Sequence, residues 1–156
     1  LALPDPGDAI PYVKAMWHYA RGIASVAQGD FSAAKAEASA IAALESGDFT
    51  LLNASGVPAK DVLALARTVI EARIAQRQGD KAAAIERFER AAALQDGLPY
   101  MEPPYWYYPV RQSLGATLLM SGDLDGAEAA FRESLARAPS RRFCVGVSTA
   151  GPRGPT

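Results

Sequence analysis

The sequence predicts an all-α fold of about six helices, arranged as three successive hairpins with irregular inserts between them. Three observations carry this reading. A Gly-Asp dipeptide recurs at 29, 79 and 122 within a wider pattern: an alanine lies four residues after each aspartate (Ala34, Ala84, Ala127), and a small residue seven before each glycine (Gly22, Ala72, Gly115). Alanine, the strongest helix former, fills 32 of the 156 positions. The last two units add a phenylalanine four beyond that alanine, Phe88 and Phe131, large enough to fill the space between one hairpin and the next. Two other Gly-Asp pairs, at 7 and 47, lack these features.

Each element follows from local chemistry. Glycine closes a first helix where a left-handed residue is wanted, and aspartate caps the second. The expected helices run 10 to 28, 31 to 45, 60 to 78, 81 to 95, 106 to 121 and 124 to 137. Asp8 is a candidate cap for the first, and Pro11 and Pro109 belong in first turns, where a missing N–H costs little. Residues 1–139 then form the helical domain. Residues 140–156 (SRRFCVGVSTAGPRGPT after Pro139) show no helical period and end rich in glycine and proline, so an extended or disordered tail is expected.

A chain of 156 residues suits one domain able to bury roughly two thirds of its unfolded surface. The net charge of −1 and pI of about 5.9 give no broad positive field, which removes nucleic acid and anionic membranes as partners. VLALARTVIEARIA, the most apolar run, is broken by Arg67, Glu71 and Arg73, so no membrane helix is expected. The single cysteine, Cys144, excludes an internal disulfide framework and cannot alone build a thiolate metal site. The expectation is a soluble chain whose compartment stays open, with the cytoplasm favoured. It starts at Leu1 with no basic, apolar leader, which reads as a piece of a longer protein.

Catalytic machinery is not visible. There is no Gly-x-Ser-x-Gly, no Walker-type glycine loop and no His-Glu-x-x-His, so no enzyme activity and no cofactor are expected. The densest local feature is an aromatic insert: Tyr100, Tyr105, Trp106, Tyr107 and Tyr108 crowd into nine residues beside Pro103, Pro104 and Pro109, with Glu102 the one carboxylate among them. Rigid rings and prolines suit recognition; equally, the insert can fold over a gap between hairpins and pack there. His18 is the only histidine, and with Glu102 it would supply at most two metal ligands, below the three or four of a zinc site. The other reading of His18 is a partly buried packing residue.

The repeated residues resemble the tetratricopeptide repeat. The third unit matches best, with Leu114-Gly115, Ala127, Phe131 and Pro139 in register; the second keeps Ala72, Ala84, Phe88 and Ala91; the first keeps Gly22 and Ala34 but has Ala38 at the aromatic place. The likeness covers about residues 10 to 139. The Gly-Asp marks lie 50 and 43 apart, so about 16 and 9 residues exceed the 34-residue period, and the stacking is expected to be irregular. YMEPPYWYYPVRQSLGATLLMSGDLDGAEAAFRESLARAP is similar to the C-terminal region of larger bacterial proteins of this repeat class, of unassigned function, and WHYARG at 17 to 22 is similar to a segment in the same proteins.

The resemblance implies a short right-handed α-solenoid whose first helices line a concave face. That register selects Met16, Tyr19, Ile23 and Val26, then Val69, Arg73, Gln76 and Arg77, then Gln112, Ala116 and Leu119. The chaperone-tail clamp known in this family needs Lys and Asn where Tyr19 and Ile23 stand here, so that activity is not implied. Arg73 and Arg77, one turn apart, are suited to grip a carboxylate with forked donors; otherwise they form a solvated charged face with Glu71. The leading expectation is a non-catalytic scaffold that binds a protein or peptide segment, acidic in character, in its groove. The alternative is a small-ligand or metal-binding module at the aromatic insert, completed by an N-terminal half. Self-association through an uncapped repeat end is a third.

Overall fold

The computed structural model describes residues 4–7 and 10–137. Among the described residues there are seven helices and no strands: α1 (Pro11–Gln28), α2 (Phe31–Leu44), α3 (Thr50–Ala54), α4 (Ala59–Gln78), α5 (Lys81–Gly97), α6 (Val110–Ser121) and α7 (Leu124–Ala136). Three pairs, α1 with α2, α4 with α5 and α6 with α7, pack together as hairpins. None of these helices is long and apolar enough to cross a membrane.

The hairpin turns have one construction. Gly29, Gly79 and Gly122 end α1, α4 and α6 at φ 81°, 80° and 97°, a left-handed conformation that a side chain would strain. The following Asp30, Asp80 and Asp123 accept the backbone N–H of Ala33, Ala83 and Gly126 at 2.9, 3.0 and 2.9 Å, each cap satisfying one of the orphan donors that open a helix.

The structure corrects the expected elements in several places. A seventh helix, the single-turn α3, follows Phe49, which is buried, and Asp48 accepts the N–H of Thr50 at its start. The sixth expected helix begins at Val110 rather than 106. Pro109 is its N-cap and not a first-turn residue, because a residue before proline is driven to extended backbone and the helix cannot run back through Tyr108. Helix α5 continues to Gly97, and α1 opens on Ile10 with no side-chain cap; Asp8 lies outside the described residues, as do Pro139, Cys144 and the expected tail.

Helix α4 is the centre of the core. It packs on α1, α2 and α5, so Val62, Leu63, Leu65, Ala66, Val69, Ile70 and Ala72 are fully buried around most of its circumference. Each large side chain removed from water in this way contributes about 1.5–3 kcal/mol. Gly22 lets α1 and α4 approach: a Cβ there would stand 2.6 Å from Ile70 Cδ1. Gly115 does the same for α6 against α7, with Phe131 ring atoms 2.8–3.0 Å from an added Cβ. Phe88 is fully buried, whereas Phe131 is only half-buried because no described element covers its outer side, so the two phenylalanines expected to be equivalent are not.

Candidate functional site

Within residues 98–109, between α5 and α6, Tyr105, Trp106 and Tyr108 pack against the core, whereas 99–104 are exposed. Gln95, near the end of α5, holds the far end of the insert: its Nε2 donates to the Tyr108 carbonyl at 2.9 Å and its Oε1 accepts the Val110 N–H at 2.7 Å. Tyr105 donates its hydroxyl to the carbonyl of Gly56, just beyond α3, at 2.7 Å. Trp106 is 4% exposed and meets the Tyr19 ring of α1 edge-on, centroids 5.1 Å apart. The Tyr107 and Tyr108 rings lie beside it, tilted at 59° to each other with centroids 4.9 Å apart, and Tyr107 is 72% exposed. The Glu102–Pro103 peptide is cis, and Glu102 accepts the Tyr100 hydroxyl at 2.8 Å.

Some of the groove residues, Tyr19, Arg73, Gln112 and Ala116, are brought to the insert. Tyr19 is buried, and its hydroxyl lies 2.9 Å from that of Tyr107. Burial first, and this hydrogen bond second, push its pKa far above the ordinary tyrosine value. Arg73 is half-buried over the Phe88 ring, 5.2 Å from its centroid, and donates to Gln76 Oε1 at 3.0 Å and Ser113 Oγ at 2.8 Å. Gln76 in turn donates to Thr117 Oγ1 at 2.9 Å, so α4 and α6 are laced by a polar ladder. Arg73, Gln112, Ser113 and Ala116 line an open cleft of about 380 Å³ together with Tyr107 and Tyr108. Arg77 is exposed one turn further on, without an ion pair among the described residues. Glu71 does not accompany these two arginines: it binds Arg67, which also binds Glu45.

A second cleft, of about 520 Å³, opens between the insert, the end of α5 and α7. Arg111 grips Asp96 with both terminal nitrogens at 2.7 Å and reaches Glu133 at 3.0 Å. Arg137 also binds Glu133, and the two arginines hold that carboxyl below the usual carboxylate range, Arg111 contributing more. Trp106 Nε1 and Ser134 Oγ, both from lining residues, are buried without a hydrogen-bond partner among the described residues.

His18 is brought to Glu37 rather than to Glu102. Its Nδ1 lies 2.6 Å from Glu37 Oε2, and Arg21 Nε donates to the other oxygen at 2.7 Å, which compensates a carboxylate that is 9% exposed. Among the described residues no group of three or more His, Cys, Asp or Glu could hold a metal ion. Sequence reasoning missed Gln95, Ser113, Thr117, Glu37 and the Asp96–Arg111 pair. The only signal was position: Gln95 and Asp96 end the helix before the insert, and Ser113 and Thr117 flank Leu114 and Gly115 at helical spacing. No protein-family model, no curated protein and no solved structure matches this chain.

Proposed function

We propose that this chain is a tetratricopeptide-type repeat module that binds an extended protein or peptide segment and does no chemistry, with the cleft beside Arg73 receiving an acidic side chain or a terminal carboxylate. Three hairpins built on Gly-Asp turns, with small residues at the α1–α4 and α6–α7 approaches, support the repeat reading. The observation that carries the binding reading is the convergence of Arg73, Gln112 and the exposed Tyr107 on one open cleft between α4 and α6. A guanidinium has five N–H donors, and Gln76 and Ser113 take one each, so the planar group is fixed in place with donors to spare. Pre-orientation of this kind lowers the cost of binding. Arg77 is exposed one turn further along α4, outside the lining of that cleft.

The experiment is a peptide-array screen of the full chain, with titration of the hits against Arg73→Lys, which keeps the charge and loses the planar fork. Acidic hits that weaken about fivefold or more with Arg73→Lys, and about twofold or more between low and physiological salt, are expected from charge-assisted contacts. Hits without acidic groups, or hits indifferent to Arg73→Lys, would refute the reading.

A further inference from the structure

We propose that the larger cleft, between the insert and α7, is a second binding site and takes an organic cation, a guanidinium or an alkylated ammonium, against Glu102 and the neighbouring tyrosine rings. The charge inventory of the cleft points that way. Its two arginines are already matched: Arg111 is held by both oxygens of Asp96 and by Glu133, and Arg137 by Glu133 with a longer contact to Asp96 at 3.4 Å. Among the described residues Glu102 makes no ion pair; its partner is the Tyr100 hydroxyl. Within the same set the two arginines are offset by Asp96 and Glu133, and Glu102 leaves the cleft with a surplus negative charge.

The surroundings favour one kind of cation. Tyr100, 79% exposed, and the half-buried Tyr105 and Tyr108 line the same cleft, and the faces of aromatic rings attract positive charge. A compact, strongly hydrated ammonium would lose its water against such a wall. A guanidinium or an alkylated ammonium is weakly hydrated and loses less. Leu98 and Met101 supply apolar wall for the carbon part of the ligand, and about 520 Å³ accommodates a group the size of a capped amino acid. This site stands independently of the acidic-peptide cleft: the two share Tyr107 and Tyr108 but neither Glu102 nor Arg73.

The test titrates the full chain, carrying Trp17→Phe so that Trp106 is the one fluorescent indole, with N-acetyl-arginine methylamide and with tetramethylammonium. N-acetyl-citrulline methylamide and N-acetyl-glutamate methylamide serve as neutral and anionic counterparts. Saturable binding of the cations, at least fivefold weaker binding of the citrulline compound and none of the glutamate compound are expected. Glu102→Gln should weaken cation binding at least fivefold at an unchanged melting temperature, because Glu102 is exposed, and Arg77→Ala should leave it unchanged. A proline-flanked arginine peptide distinguishes the sources: at least tenfold tighter binding than the capped residue identifies a protein segment, and equal binding a free small molecule. Equal affinity for arginine and citrulline compounds, or indifference to Glu102→Gln, overturns the proposal. Failure of the acidic-peptide screen would leave it standing.

Discussion

The hydroxyls of Tyr19 and Tyr107 lie 2.9 Å apart, a bond between residues 88 positions distant that ties the first helix to the aromatic insert. The two ends are not equivalent, since Tyr19 is buried and Tyr107 is exposed. Tyr19→Phe leaves Tyr107 free to bond water and should cost about 0.5–1 kcal/mol, whereas Tyr107→Phe leaves a buried hydroxyl unpaired and should cost about 1–3 kcal/mol. Urea denaturation of both variants checks the order. Equal costs would mean that water already reaches Tyr19.

The same pair predicts an alkaline weakness. The Tyr19 pKa is raised in the folded chain, by burial first and then by Tyr107, so the folded state holds this proton after the unfolded state has released it. The stability contributed is complete below the unfolded value of about 10 and declines above it, by up to about 1.4 kcal/mol per pH unit. Tyr12, also raised by burial, acts in the same direction. The diagnostic quantity is therefore the difference between parent and Tyr19→Phe from pH 9 to 11, which should narrow above pH 10 and reverse towards pH 11, where a loss of about 1.4 kcal/mol exceeds the bond's about 0.5–1 kcal/mol.

Gly22 predicts a steric penalty with a specific remedy. Alanine at this position gains helix propensity of about 1 kcal/mol, but its Cβ would press on Ile70 Cδ1 inside a closed core, and overpacking of this kind costs about 1–3 kcal/mol. Net destabilisation is expected. Adding Ile70→Val, which removes Cδ1, should recover part of it, so the double variant should melt above the sum of the two single losses. Strict additivity would show that the helices separate there instead.

What was legible in the sequence was local. Gly29-Asp30, Gly79-Asp80 and Gly122-Asp123 act on backbone within four residues, so their chemistry fixes the hairpin turns wherever the hairpins go. Gly22 and Gly115 were readable as small residues because the repeat placed them in register. The insert was not: its aromatic density was plain, but the seating of Trp106 against Tyr19 depends on packing across 87 positions, which no local pattern encodes. Arg73 shows the same limit. Its register placed it on the right helix, while its hold on Ser113 arises only once α6 is docked. Glu37, in an alanine-rich stretch, gave no sign of burial, since a buried carboxylate is understood only through partners such as His18 and Arg21.

Phe88 and Phe131 hold matching repeat positions but differ in cover. Phe88→Ala, in a fully buried site beneath the Arg73 guanidinium, should cost about 3–5 kcal/mol; Phe131→Ala, half-buried against Gly115, should cost about 1–3 kcal/mol. Thermal melts decide the ranking. A reversed order would show that α7 is covered on the side where no described residue reaches it.

Gln95 is the residue on which both clefts depend. Its amide nitrogen holds the Tyr108 carbonyl and its amide oxygen the Val110 N–H, so one side chain fixes the last turn of the insert and the first of α6. Gln95→Leu keeps the volume and removes both bonds, leaving two half-buried backbone groups without partners at about 1–3 kcal/mol for the site. Gln95→Glu keeps an acceptor for Val110 but turns a second oxygen toward the Tyr108 carbonyl, so the insert should loosen while α6 stays capped. Because Tyr107 and Tyr108 line both clefts, Gln95→Leu should weaken acidic peptide and organic cation alike, whereas Arg73→Lys and Glu102→Gln each affect one. The readout is Trp106 emission in the Trp17→Phe background, which should shift to the red as the buried indole meets water. Unchanged emission, with both ligands still bound, would show that Tyr105 on Gly56 and Trp106 on Tyr19 hold the insert without Gln95.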